Sequence, residues 1–117
     1  MPRSILAYLN DIVAACDSVT VTLEGVDMDA YVANRTVRAA VERELTIIGE
    51  AVNRILRLDP EIAARISHAR KIVGFRNLLV HDYPSIIDEA VWAIAGGDAP
   101  LLREECAELI DELHRAD

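Results

Sequence analysis

The chain has 117 residues, enough for one domain (residues 1–117) around a single core, and its 20 acidic against 12 basic residues leave a net charge of -8. So acidic a chain is not expected to grip nucleic acid tightly and non-specifically, which takes clustered Lys and Arg. Apolar residues make up 52% and aromatics 4%, a balance that favours helix over sheet.

The two cysteines, Cys16 and Cys106, are too few for a disulfide framework and have no partner at metal-ligand spacing, so a reduced, cytoplasmic protein is expected. No run approaches the roughly 18 consecutive apolar residues of a membrane span, and no membrane partner is expected. Val13-Ala14-Ala15-Cys16 has the small residues of a lipoprotein cleavage site, but Asn10 and Asp11 interrupt the apolar stretch before it, so an amphipathic first helix is the reading adopted.

That helix is expected from Ser4, a suitable N-cap, to Ser18, with Ile5, Leu6, Leu9, Ile12, Val13 and Cys16 at three- and four-residue steps. Val19 to Asp29 reads as a loop ending at Asp27 or Asp29, either of which can cap the next helix. From Arg35 to Leu58 the spacing Val37, Val41, Leu45, Ile48, Val52, Ile55 draws one apolar stripe along the main helix of a bundle. Gly49 inside it costs about 1 kcal/mol relative to alanine, so another backbone is expected against it, across a dimer interface for example.

Asp59-Pro60 ends that helix and starts a short one through Ile66. A third long helix, His68 to Asp82, is apolar nearly all round and is expected at the centre of the bundle, ending before Pro84. Ser85 and Asp88 form a capping-box pattern for a helix running to a break at Gly96-Gly97, after which Asp98 caps a last amphipathic helix through Leu113. The expected fold is all-α, an up-and-down bundle of four to five helices.

Charge is uneven along the chain. Residues 1–34 carry one basic and five acidic groups, residues 35–76 nine and five, and residues 77–117 two and ten. The basic middle third is almost all arginine, which suits bidentate phosphate contact, although pairing with the helix's own glutamates is the plainer account of most of it. If RNA approaches from this segment, changes at Arg43, Arg54 or Arg70 should raise KM.

Phe75-Arg76-Asn77-Leu78-Leu79-Val80-His81-Asp82-Tyr83 sets an Arg, an Asn, a His and a Tyr in an otherwise apolar stretch, where polar groups are costly to bury without partners. On one helix Arg76 and His81 diverge by about 140°, so their convergence needs the reach of Arg, an unwound last turn, or a second copy across a two-fold axis; the second copy is preferred. These residue types suit attack of an RNA 2′-hydroxyl on its neighbouring phosphate without a metal. His81 serves as base or acid, Arg76 stabilises the phosphorane, and Asn77 orients the phosphate or fixes the His tautomer. Each also has a plain structural account: His81 on the helix dipole, Arg76 paired with Glu50, and Tyr83 as a core ring.

The stretch Arg76 to Tyr83 resembles the Arg, four residues, His, one residue, Tyr motif of the HepT-like branch of the HEPN superfamily. Ala40 to Leu45 and Ile47 to Ala51 resemble that family's long helix, Lys71 to Phe75 its lead-in, and Asp88, Trp92 and Leu101-Leu102 also fit, so the resemblance spans roughly residues 5 to 113. The chain departs from the pattern in having no tryptophan near His68 to Arg70.

The resemblance implies an all-α homodimer, the toxin of a type VII-like toxin–antitoxin pair. It would be a metal-independent endoribonuclease acting on tRNA or mRNA through Arg76 and His81, with no cofactor; Glu50, as a pairing partner of Arg76, is the candidate supporting residue. The implied partner is a minimal nucleotidyltransferase antitoxin that silences the toxin by transferring AMP to Tyr83. The alternative of a different class is a non-catalytic HEPN module that binds the nucleotidyltransferase or a nucleotide.

Overall fold

The computed structural model describes residues 3–81 and 88–116, with the side chain of His81 excepted. The helices are α1 (Ile5–Thr22), α2 (Met28–Ala33), α3 (Arg35–Leu58), α4 (Pro60–Ala63), α5 (Ala69–His81), α6 (Asp88–Ala93) and α7 (Ala99–Ala116), with a π-helical turn at Ile94–Asp98 between the last two. No strand occurs among the described residues. The expected all-α bundle is therefore observed, its long members being α1, α3, α5 and α7.

Side-chain caps start several of these helices. Ser4 accepts the amide of Ala7, Asp27 that of Ala30, Asn34 that of Val37 and Asp59 that of Ile62. The boundaries of α3 are the expected ones. In contrast, α1 continues through Val19 to Thr22 instead of giving way to a loop, because Val19 is a core residue whose burial holds the β-branched stretch helical. The short α2 interrupts what reads as loop, and it places Tyr31 in the core with its ring 5.4 Å from that of Trp92.

By length and composition alone α1 is long and apolar enough to cross a membrane, which the sequence expectation did not foresee. Its Leu9, Ile12, Ala15, Cys16 and Val19 are buried in the core and Asn10, Asp17 and Ser18 are exposed, the amphipathic pattern of a bundle helix.

The bundle centre is α3, which packs against both α1 and α5, while α7 packs on α1. This corrects the expectation for α5. Among its described side chains Ala69 and Ile72 are the buried ones, and Leu78 is 49% exposed, because α5 lies chiefly on one neighbour, which covers one face. The Gly96-Gly97 break is also corrected: the two glycines lie inside the π-helical turn, and α6 passes through it into α7. Asp98 is no cap there; its carboxylate takes the Lys71 ammonium at 3.0 Å and ties that turn to α5. The expected capping box at Ser85 and the helix end at Asp82 to Pro84 lie outside the described residues.

Glu105 of α7 accepts both the amide of Ser67 at 3.0 Å and its hydroxyl at 2.7 Å, fixing the start of α5. The next residue, His68, turns the chain with φ at 60°, and its carbonyl accepts the Ile72 amide.

Candidate active site

The polar part of the site begins with a glycine. Gly49 is buried in α3, and a Cβ there would stand 2.2 Å from the Cβ of Arg76 and 2.7 Å from its Cγ. The missing side chain lets α5 lay the stem of Arg76 directly on the α3 backbone. The close neighbour expected at Gly49 thus comes from the same protomer.

From that seat the guanidinium reaches two partners. Nη1 donates to Oδ1 of Asn77 at 2.9 Å, and Nη2 donates to Oε1 of Glu50 at 3.4 Å. Its Nε is buried and has no acceptor among the described residues. Glu50 is 55% exposed, so this ion pair contributes at most about 1 kcal/mol and an incoming anion can displace it. Arg76 therefore has a fixed stem, and Nη1 and Nη2 each keep a second N–H beyond the bonds to Asn77 and Glu50, which is what a phosphate-binding arginine needs.

The structure brings Arg76, Asn77 and Glu50 together. It does not describe the side chain of His81 or any part of Tyr83, which leaves those two expected members of the site outside the described residues. The backbone is helical through His81, so no unwinding before that position turns it toward Arg76. The two positions point about 140° apart around the helix axis.

Two open clefts flank this group along the α3–α5 seam. One, of about 350 Å³, is lined by Glu50, Asn53, Arg54, Arg57 and Arg76. The other, of about 390 Å³, is lined by Asn53, Leu56, Arg57, Arg70, Val73, Gly74 and Asn77. Sequence reasoning passed over Gly49 as a site residue, and Asn53 and Arg57 with it. The signal was available: Glu50, Asn53, Arg54 and Arg57 follow the helical i, i+3, i+4, i+7 spacing.

Pairing of the middle-segment cations with their own helix's glutamates is corrected as well. Arg38, Arg65, Lys71 and Arg76 have acidic partners at Asp88, Glu112, Asp98 and Glu50, all but one of them beyond residue 76. Arg35, Arg43, Arg54, Arg57 and Arg70 form no ion pair among the described residues. Nor does any group of three or more His, Cys, Asp or Glu there have the placement to hold a metal.

This geometry can be set beside known proteins. The family described as "Ribonuclease HepT-like" matches residues 5–109. The chain belongs to the HepT-like family of the HEPN superfamily. Among relatives of this HepT-like protein, "Putative RNase MJ1380" of Methanocaldococcus jannaschii is 32% identical over 88% of this chain and 94% of its own. "Probable ribonuclease HepT" of Thermococcus cleftensis is 30% identical over 88% of this chain and 93% of its own. A second M. jannaschii protein, "Putative RNase MJ0125", is 29% identical over 95% of each chain. No solved structure matches. The family places this HepT-like chain among RNases of the HEPN type.

Proposed function

We propose that the protein is the toxin of a toxin–antitoxin pair, a metal-independent endoribonuclease acting in the cytoplasm with Arg76 and His81 at its reacting centre. The observation that carries the reading is Arg76, seated on Gly49 with Nη hydrogens still unused and followed five residues on by a histidine. In the reaction a base removes the proton of an RNA 2′-hydroxyl, whose oxygen attacks the adjacent phosphorus. The bond from phosphorus to the 5′-oxygen breaks, and an acid protonates that oxygen. The products are a 2′,3′-cyclic phosphate and a free 5′-hydroxyl. His81 supplies one or both proton transfers, Arg76 holds the phosphorane charge, and Asn77, bonded to Arg76, orients its guanidinium.

The centre is completed by a second copy of the chain. Arg76 and His81 diverge by about 140° on one helix, so a second copy brings the two types together where one copy does not. Two copies would set one protomer's His81 beside the other's Arg76. The antitoxin is a nucleotidyltransferase that moves AMP onto the Tyr83 hydroxyl, which would put a phosphate and a nucleoside where RNA must enter.

The test is cleavage of RNA by the purified protein in EDTA, with products examined for 2′,3′-cyclic ends. Wild type is expected to cut, and His81→Ala to lose roughly a hundredfold or more while remaining folded. Absence of cleavage by protein shown by mass to carry no AMP would favour the non-catalytic module that binds its nucleotidyltransferase partner.

A further inference from the structure

We infer that the α3–α5 seam carries a second phosphate-binding subsite, formed by Arg57 and Arg70 with Asn53 and Asn77, which holds the RNA backbone beyond the reacting phosphate. The inference rests on the RNase reading and adds to it where the rest of the substrate lies.

Both helices offer the seam the same spacing. Glu50, Asn53, Arg54 and Arg57 on α3 and Arg70, Val73, Gly74 and Asn77 on α5 each occupy i, i+3, i+4 and i+7. The helices run antiparallel, with Gly49 on Arg76 at one end and Leu56 beside Val73 and Ala69 at the other. The two clefts share Asn53 and Arg57, so they adjoin along the seam and make one track of polar groups with Leu56, Val73 and Gly74 at its floor or rim. From the Glu50 end to the Arg57 end the track rises about 10 Å along α3. A stacked strand sets successive phosphates about 3.4 Å apart along its axis, so the track is long enough to reach phosphates beyond the one at Arg76.

Charge points the same way. In a chain of net charge -8, Arg54, Arg57 and Arg70 lie exposed in this track with no ion pair among the described residues, and Glu50 is the one carboxylate among the lining residues. Clustered arginines repel one another and are stabilised by a polyanion, to which guanidinium donates in pairs. Among the described residues no aromatic ring lines either cleft, and the donors there are guanidinium and amide groups that suit phosphate oxygens. The ligand of the track is the phosphodiester backbone of single-stranded RNA, held without regard to sequence. Arg43, equally exposed, lies instead in a cleft with Asp17 and Glu44 between α1 and α3 and provides an internal control.

The test is binding of a single-stranded 2′-O-methyl RNA, which lacks the attacking hydroxyl, measured by fluorescence anisotropy against salt for wild type, Arg57→Gln, Arg70→Gln and Arg43→Gln. Each subsite substitution is expected to reduce the slope of log affinity against log salt by about 0.7, the value of one phosphate contact on a single strand. KM for cleavable RNA should rise and kcat stay within about twofold, while Arg43→Gln leaves the slope unchanged. Equal effects from all three substitutions, or none from Arg57 and Arg70, would overturn the subsite. Cleavage with an unaltered slope sinks the subsite and spares the RNase reading. A slope that responds in a protein that does not cleave spares the subsite and sinks the reading, and wild type that binds no RNA sinks both.

Discussion

The two sides of α3 are built to different rules. Toward the core it presents Val41, Leu45, Val52 and Ile55, where, among the described residues, the one buried hydroxyl is that of Tyr31. The thiols of Cys16 and Cys106 lie in that core, and burial pushes each up to about 12. Toward α5 it presents a glycine under an arginine, then Glu50, Asn53 and Arg57 along open clefts. The first side gains its stability from excluded water and close packing. The second gives up packing to hold charged donors where an anion can reach them, as functional sites commonly do. Folding and chemistry are thus separable on opposite faces of one helix.

The sharpest way to break that separation is a cavity in the dry side. Ile55→Ala should cost about 2–5 kcal/mol in denaturant unfolding and leave the RNA cleaved per folded molecule unchanged. A proportionate loss of kcat would mean that the core sets the site directly.

Gly49→Ala probes the other side. Helix propensity alone predicts a gain of up to about 1 kcal/mol, whereas a Cβ at 2.2 Å from Arg76 predicts a loss of about 1–3 kcal/mol and a displaced guanidinium. The loss is expected, with RNA cleavage reduced at least tenfold. Gly74→Ala is the control: a Cβ there meets nothing within 4 Å, so it should stabilise the chain by up to about 1 kcal/mol. Matching melting shifts for the two variants would show that α5 does not press on α3 at Gly49.

The effect confined to alkaline pH lies with the thiols. Raised in the folded state from an ordinary 9.0 to about 12, they favour the protonated form, so their contribution is complete below about pH 9 and is lost as pH rises toward 12. Tyr31, raised chiefly by burial, adds to the same alkaline loss. The Cys16→Ala/Cys106→Ala double variant should flatten it, as followed by unfolding midpoints across that range, and an unchanged alkaline limb would contradict buried thiols as its source.

How much was legible in advance differs between these two sides. The α3 stripe and its ends were readable because a 24-residue amphipathic helix repeats one instruction many times, whereas its cap, Asn34, was not, since Asp27 caps the intervening α2. The extension of α1 to Thr22 was not, since Val19 to Thr22 is β-branched or small and only burial of Val19 against other helices keeps it helical. Likewise Gly96-Gly97 has the composition of a break, and a tertiary context in which Ala95 and Ala99 are buried and Asp98 is held by Lys71 carries the backbone through it as a π-helical turn. At the site, Arg76 and Asn77 were legible as polar residues in an apolar stretch, and the Glu50 pairing as one account of Arg76.

Local periodicity and local hydrogen bonding suffice for the helical class of the chain, the length of α3 and the residue types of the candidate chemistry. Tertiary structure alone decided that α3 and not α5 lies at the centre, that Gly49 seats Arg76, and that Arg57 and Arg70 share a track from which Arg43 is excluded. Those depend on which faces meet across the seam, and contacts between residues far apart in the chain are set by packing rather than by any local pattern.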